Sequence, residues 1–204
     1  MRALSSRNTQ SNIVLRNEID KIRLLFHKDR ESYLCFYRIL GFYPRNIQLY
    51  EQALLHKSTS VRSDKGRPLN NERLEFLGDA ILDAIVGDIV YKRFEGKREG
   101  FLTNTRSKIV QRETLNKLAV EIGLDKLIKY STRSSSHNSY MYGNAFEAFI
   151  GAIYLDQGYE RCKQFMEQRI INRYIDLDKI SRKEVKLQIQ AYRVEPKEQN
   201  GGFL

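Results

Sequence analysis

Apolar residues recur along the chain mostly at helical spacing, with few alternating runs and only three Pro, and this pattern predicts an all-α domain. The stretch from residue 71 to residue 91 contains no Pro and predicts a largely buried helix, although acids interrupt it. Residues 143–155 form a second, almost wholly apolar run of helical length. A further helical segment upstream is indicated by an apolar face that comprises Tyr33, Leu34, Phe36, Tyr37 and Leu40.

Polar breaker residues divide the chain into three parts. We expect a flexible N-terminal tail at residues 1–17, one domain at residues 18–180 and a short C-terminal tail at residues 181–204. Within the domain, the pattern predicts helical segments up to residue 57, a polar loop at 58–70, a basic helix-rich stretch at 95–130, a mobile loop at 131–142 and a helix at 159–176.

Three carboxylates, Glu72, Glu75 and Asp79, interrupt the first apolar run. At about 100° per residue, their spacing places them within a sector of about 60° on a helix. Like charges so close repel, and burial of an unpaired carboxylate is costly, so the cluster favours a bound cation. The alternative is that Glu72 is only a first-turn acid, which the helix dipole favours, behind an N-cap at Asn70 or Asn71.

A second polar patch lies in the second run, where Asn144 and Glu147 are three residues apart and share a helix face. The alternative is a core helix in which Glu147 pairs with an arginine. If the two helices face each other, Glu75, Asp79, Asn144 and Glu147 converge as oxygen ligands, which suit Mg²⁺ or Mn²⁺. Small residues would permit close packing of these helices, namely Ala145, Ala148, Gly151 and Ala152.

The charge of the chain favours a polyanionic partner. The formal net charge is +10 and the pI is about 9.6. Residues 92–133 hold eleven Lys and Arg against five Asp and Glu, so the excess is concentrated between the two acidic patches. A basic stretch beside an acidic metal site suits a phosphodiester substrate, although solvated helix faces also carry such charges.

Cysteine usage and hydropathy indicate a cytoplasmic protein without a membrane span. Cys35 and Cys162 are too few and too far apart for a disulfide framework, so we expect two reduced thiols. No apolar segment reaches the length of a membrane-spanning helix. The three histidines are isolated in the sequence and receive no catalytic role; we expect His56 to be structural.

The acidic segment Asn71–Asp79, Asn-Glu-Arg-Leu-Glu-Phe-Leu-Gly-Asp, is similar to the signature of the ribonuclease III family. Residues 143–155 resemble that family's second acidic motif. The likeness covers about residues 33–175 and includes Leu40-Gly41-Phe42, Gln52–Ser58, Glu99-Gly100, Leu102 and Arg106. The resemblance implies the helical fold of a ribonuclease III endonuclease domain.

The resemblance also implies metal-dependent hydrolysis of double-stranded RNA that leaves 5′-phosphate and 3′-hydroxyl ends, in the processing of ribosomal or other RNA. Glu75, Asp79, Asn144 and Glu147 would hold Mg²⁺, for which Mn²⁺ could substitute. Catalysis would depend most on Glu147 and Asp79 and then on Glu75. Glu72 would orient substrate, water or a ligand.

Cleavage of both strands calls for two sites, and the resemblance implies a homodimer joined through the acidic helices. Phe76 would insert into a pocket of the partner subunit. The alternative is that Phe76 is an ordinary core phenylalanine.

The chain departs from the family pattern in two places. About 25 residues follow Ile180, too few for the RNA-binding domain that bacterial members usually append, so the sequence is either truncated or works without that module. Asn144 stands where the family has an aspartate. Two alternatives therefore remain: a catalytically impaired double-stranded RNA-binding protein, and a compact nuclease specialised for a ribosomal RNA precursor.

Overall fold

The computed structural model describes residues 30–131 and 140–194, with side chains at 31–131 and 140–187. The predicted tail at 1–17 and most of the predicted loop at 131–142 lie outside the described residues. The described residues form helices and two isolated bridges, without a strand, so the prediction of an all-α fold is confirmed. The helices are α1 (Arg30–Leu40), α2 (Ile47–Ala53), α3 (Glu72–Arg93), α4 (Glu99–Val110), α5 (Arg112–Glu121), α6 (Met141–Gln157), α7 (Tyr159–Phe165), α8 (Asn172–Tyr174) and α9 (Leu177–Val194).

Helices α3 and α6 form the most extensive contact in the described part of the fold. Helix α6 is apolar on almost every side and is enclosed by α2, α3, α5 and α7. Aromatic rings fill the space at its centre, where Phe149 lies 5.5 Å from the ring of Tyr50 and 6.2 Å from that of Phe165. Burial of these rings provides much of the apolar surface that stabilises the domain.

The contact between α3 and α6 is a backbone contact made possible by two glycines. A Cβ atom at Gly78 would overlap the carbonyl oxygen of Glu147 and lie 2.8 Å from the Gly151 amide nitrogen. A Cβ atom at Gly151 would in turn overlap the carbonyl oxygen of Leu74. The expectation of close packing at Gly151 is therefore met, and Gly78 is its counterpart on α3.

Only one face of α3 is buried, which corrects the prediction of a largely buried helix. Leu82, Ile85 and Val86 are fully enclosed, whereas Phe76 is 82% exposed and Tyr91 is 70% exposed. The acids of this run lie on the exposed face of the helix. The helix is therefore polar on one side, although most residues of the run are apolar. The first acidic patch thus lies at the protein surface.

The C-terminal end of α6 fixes the loop between α1 and α2 through Asp156. Its carboxylate accepts hydrogen bonds from the backbone amides of Arg45 at 3.0 Å and Asn46 at 2.8 Å. It also accepts hydrogen bonds from the hydroxyl of Tyr50 and the side chain of Gln157, each at 2.8 Å. This one side chain satisfies two backbone donors that would otherwise need water or a cap.

The helix predicted at 159–176 is present as α7, a π-helical segment at Met166–Ile171 and α8. Helix α9 then runs across residue 180, the predicted end of the domain. Beyond that point Glu184 is only 3% exposed, accepts a hydrogen bond of 2.8 Å from Asn104 and pairs with Lys108 of α4. The described part of the predicted tail therefore packs on the domain, while the division of the whole chain into three parts stays a prediction.

Both cysteines are unpaired, as predicted, and burial raises the pKa of the Cys162 thiol to about 12. Among the helices at residues 30–131 and 140–194, none is both long and apolar enough to cross a membrane. The predicted polar loop at 58–70 holds one short 3₁₀ turn at Lys57–Thr59 and an isolated bridge between Arg62 and Pro68.

We predict that Gly78→Ala lowers the free energy of unfolding by at least about 3 kcal/mol, because the added methyl group meets backbone atoms that no side-chain rotation can move. Urea unfolding followed by circular dichroism measures the change. Gly87→Ala on the same helix is the matched control, since a Cβ there lies an ordinary 3.9 Å from its nearest neighbour. The control should keep or raise stability, by up to about 1 kcal/mol. Equal stability of the two variants would contradict the backbone contact.

Candidate active site

One open cleft of about 380 Å³ brings together the side chains of the two acidic patches. Glu75 and Asp79 come from the first turns of α3, and Asn144 and Glu147 come from the first turns of α6. The cleft is open to solvent, since Asp79 is exposed while Glu75 and Glu147 are only partly buried. The remaining lining residues are His56, Lys57, Asn71, Glu72, Phe76 and Arg112.

The backbone contact at Gly78 explains why these acids meet. Gly78 directly precedes Asp79 and lies one turn after Glu75, and it rests on the carbonyl of Glu147. The three carboxylates therefore flank the point at which the helices touch. A wider separation of the two helices would open the cleft and move the patches apart.

Glu72 lies at the edge of the cleft in a set of polar contacts. The Asn70 side chain accepts a 3.1 Å hydrogen bond from the Glu72 amide, so Asn70 rather than Asn71 provides the side-chain cap of α3. One carboxylate oxygen of Glu72 accepts a hydrogen bond from the Lys57 ammonium group at 3.2 Å. The other accepts one from the side-chain nitrogen of Asn70 at 3.1 Å. Glu72 thus serves as a first-turn acid, and its carboxylate orients Lys57 at the rim.

Glu147 is the most perturbed acid of the cleft. Partial burial, followed by repulsion from Asp79 and Glu75, raises the pKa of its carboxyl group to about 7, against an opposing effect of Arg112. No Lys, Arg or His of the described residues lies within ion-pair distance of this carboxylate, which argues against the alternative of an arginine-paired core acid. An unpaired acid that repels two others is the electrostatic arrangement that a cation relieves.

Asn144 connects an acid to a base. Burial raises the pKa of Glu75, whereas Arg112 and a hydrogen bond from the Asn144 side chain lower it. The Asn144 side-chain oxygen accepts a hydrogen bond of 3.3 Å from Arg112, whose guanidinium lies 4.5 Å from the ring centre of Tyr140. The Asn144 side chain therefore lies between Arg112 and Glu75.

The donor set fits a hard divalent cation, since it consists of carboxylate and amide oxygens whose negative charges repel one another. In the described conformation, no group of three or more His, Cys, Asp and Glu side chains is placed so that it could hold a metal ion. Glu75, Asp79 and Glu147 share the cleft without forming a closed cage. Side-chain rotation at the open cleft would be needed to complete a coordination shell.

Three residues of the cleft were not predicted from the sequence to belong to the site. Lys57 and Arg112 place two positive charges beside the acids. Asn71 is 2% exposed, and its side-chain nitrogen has no hydrogen-bond partner in the described structure. The sequence signal for Arg112 is its position in the basic stretch, and the sequence predicts only a capping role for Asn71.

Two further residues of the cleft can be placed. His56 is 8% exposed, its ring nitrogen contacts the hydroxyl of Ser58 at 2.8 Å, and its amide donates to the Lys129 carbonyl at 3.0 Å, in keeping with a structural role. Burial and, secondarily, Lys57 lower the pKa of the His56 ring. Phe76 is 82% exposed, so the alternative of a core phenylalanine is wrong.

We predict that the unfolding free energy in EDTA falls with pH more steeply for the native chain than for Glu147→Gln. A carboxyl group whose pKa rises on folding stabilises the fold fully below its unfolded value of 4.5 and loses that contribution as pH passes about 7. Solvent screens this half-buried carboxyl group. We therefore expect the difference in unfolding free energy between the native chain and Glu147→Gln to change by about 1–2 kcal/mol between pH 4.5 and pH 8. Urea titrations across this range measure it.

Glu113→Gln, which removes an exposed carboxylate outside the cleft, is the control for that experiment. It should follow the native pH profile. Parallel pH profiles for the native chain and Glu147→Gln would show that folding does not raise the pKa of Glu147.

Relatives of known identity match most of the chain. The Ribonuclease-III-like family model matches residues 46–174. Ribonuclease 3 of Bacteroides thetaiotaomicron is 95% identical over 172 residues, which are 84% of this chain and 55% of that protein. Ribonuclease 3 of Azobacteroides pseudotrichonymphae is 53% identical over 179 residues, which are 88% of this chain and 68% of that protein. The chain thus spans about half the length of the first relative.

The fold agrees with these sequence matches. The solved nuclease domain of ribonuclease III from Campylobacter jejuni superposes with a TM-score of 0.61 and 31% identity, covering 69% of this chain and 96% of that domain. That domain shows structural flexibility in a region involved in dimer formation. Since the family model covers more than half of the chain and both acidic patches lie within it, this chain belongs to the ribonuclease III family.

Proposed function

We propose that this chain is the nuclease part of an endoribonuclease that hydrolyses phosphodiester bonds of double-stranded RNA with a divalent metal ion. The observation that carries the proposal is the meeting of Glu75, Asp79 and Glu147 in one open cleft that Lys57 and Arg112 flank. Carboxylates suit a hard cation, and the flanking cations suit the phosphates of a nucleic acid. The net charge of +10 agrees with a polyanionic substrate.

Glu75, Asp79, Asn144 and Glu147 are the proposed residues that hold Mg²⁺ or, in its place, Mn²⁺. A bound divalent ion would supply a water molecule of lowered pKa and neutralise charge that develops at the phosphate. The products proposed are 5′-phosphate and 3′-hydroxyl ends. Of the four residues, Glu147 and Asp79 are expected to matter most, followed by Glu75.

The protein's own groups contribute charge, position and proton control. Glu147, whose pKa lies at about 7, exchanges a proton near neutral pH and becomes an anion when a cation compensates its neighbours. Glu72 holds Lys57 at the rim of the cleft, where the ammonium group can face a phosphate. The openness of the cleft leaves room for a duplex, which is recognised through its shape, phosphates and 2′-hydroxyl groups.

We further propose a homodimer in which the exposed face of α3 forms the interface. On this face of α3, Phe76 is 82% exposed and Tyr91 is 70% exposed, and exposed apolar patches are typical of protein–protein contacts. A two-fold dimer would cover Phe76 and provide two cleavage sites for the two strands of a duplex. The natural substrates proposed are ribosomal and other RNA precursors in the cytoplasm.

A catalytically impaired RNA-binding protein is the second candidate, and Asn144 favours it. An amide oxygen can ligate a cation but brings no charge, and in this cleft it is already hydrogen-bonded to Arg112. Metal affinity would then be lower than that of a site with four carboxylates. Cleavage activity separates the two candidates directly.

We predict that the chain cleaves a labelled RNA duplex in the presence of Mg²⁺ or Mn²⁺ and that Glu147→Gln lowers the single-turnover rate by at least about a hundredfold, since the substitution keeps the shape and removes a ligand charge. Denaturing gels of end-labelled duplex measure the rate and the product ends. Glu113→Gln provides the control with an acid outside the cleft and should keep the native rate.

Binding without cleavage at any metal concentration would favour the impaired protein. Full activity of Glu147→Gln would remove Glu147 from the site. A comparison of a generic duplex with a precursor-derived stem then tests the natural substrate.

We predict that Phe76→Ala shifts the chain from dimer to monomer, because the substitution removes the apolar side chain expected to fill the partner's pocket. Sedimentation equilibrium over a range of protein concentrations measures the dissociation constant of the dimer. This constant should rise at least tenfold, which corresponds to a loss of about 1.4 kcal/mol of association free energy. Val120→Ala removes another exposed apolar side chain, on α5, and serves as the control. An unchanged dimer in Phe76→Ala would exclude this residue from the interface.

A further inference from the structure

We propose that Arg112 binds an RNA phosphate at the acidic cleft and that the neutral amide of Asn144 keeps its charge available for this purpose. This inference rests on the proposed function and assigns a substrate-binding role to a residue outside the four proposed metal ligands. It follows from the unequal environments of the two cations that line the cleft.

The two cations differ in what compensates them. Lys57 forms an ion pair with Glu72 at 3.2 Å, so a carboxylate of the protein already balances its charge. Arg112 has no carboxylate within ion-pair distance among the described residues, and its polar partner is the side-chain oxygen of Asn144 at 3.3 Å. A hydrogen bond to an amide orients a guanidinium but does not neutralise it. Arg112 therefore makes no direct ion pair among the described residues, and only through-space attraction to Glu75 and Glu147 balances its charge.

The contacts of Arg112 with Tyr140 and Asn144 leave its other N–H donors without a hydrogen-bond partner among the described residues. The guanidinium carbon lies over the ring of Tyr140, 4.5 Å from its centre, in a cation–π contact. One N–H donates to Asn144. An arginine has five N–H donors in a planar fork, and such a fork binds phosphate oxygens in pairs.

The position of Arg112 is fixed by the packing of α5 against α6. The Gly143 amide donates a hydrogen bond of 2.7 Å to the Asn116 side chain. A Cβ at Gly143 would approach that side chain to 3.1 Å and the Arg112 carbonyl to 3.7 Å, so the start of α6 lies close to the start of α5. Asn144 follows directly. Arg112 is consequently held on the same side of the cleft as Asn144 and Glu147.

Asn144 has two roles that an aspartate could not combine. Its side-chain oxygen accepts from Arg112, and its side chain also lowers the pKa of Glu75, so it lies between an acid and a base without adding charge. An aspartate there could not donate to Glu75 and would form an ion pair with Arg112. That pair would compensate the guanidinium and compete with a phosphate for its donors.

The test measures duplex RNA binding in EDTA, by fluorescence anisotropy at several salt concentrations, for the native chain and for Arg112→Ala, Arg112→Lys and Asn144→Asp. Loss of one phosphate contact should reduce the slope of log K against log salt by about 0.9. We expect this reduction in Arg112→Ala, little change in Arg112→Lys and an intermediate reduction in Asn144→Asp. Lys117→Ala, at an exposed position of α5 outside the cleft, is the matched control and should keep the native slope.

A double-mutant cycle tests the link between the two residues. If Asn144→Asp acts by pairing with Arg112, its effect on the slope should largely disappear in the Arg112→Ala background. Equal effects of Asn144→Asp in both backgrounds would overturn the link. An unchanged slope in Arg112→Ala, accompanied by tighter Mg²⁺ binding in isothermal titration calorimetry, would overturn the phosphate role and show that Arg112 only balances the acids.

The outcomes also separate this inference from the proposed function. A native chain that neither binds nor cleaves duplex RNA would refute the proposed function and, with it, the phosphate role of Arg112. A native chain that binds and cleaves, with a salt slope that Arg112→Ala leaves intact, would refute the inference alone.

Discussion

The close contact between α3 and α6 is the constraint on which the rest of the described structure depends. Two helices approach until backbone meets backbone, and only glycine at positions 78 and 151 allows that distance. Side chains normally hold helix axes about 8–10 Å apart, whereas here a Cβ atom at either glycine would overlap the backbone of the facing helix. The acids sit on either side of the crossing. The fold and the candidate site therefore share one structural cause.

The cleft is electrostatically unfavourable when nothing is bound to it. Three carboxylates repel one another, and burial adds to the free energy required to ionise Glu147. Stability of the domain must come from elsewhere, chiefly from the aromatic core around Phe149 and from the apolar face of α3. Such local destabilisation is typical of sites that bind charged ligands, because the ligand restores the balance. The two flanking cations moderate the repulsion without removing it.

Much of this arrangement was predictable from sequence because it follows from local periodicity. The helices, the one-sided placement of Glu75 and Asp79, and the close packing at Gly151 all depend on spacing along one or two segments. The exposure of Phe76 followed only from the family resemblance, since an apolar residue in an apolar run carries no mark of the face it occupies. Arg112 was missed because its role depends on the packing of a third helix. The packing of Glu184 on α4 likewise depends on residues that are distant in sequence.

Helix α6 carries one carboxylate near its start and another near its end, and the two have opposite effects on the stability of the fold. Glu147 lies near the start with an unfavourable ionisation, whereas Asp156 lies near the end, where the helix dipole disfavours an anion but four hydrogen bonds hold it. Substitution of Asp156 would release the loop before α2 and lower the abundance of the protein in cells, whereas substitution of Glu147 would relieve a repulsion and leave the abundance intact.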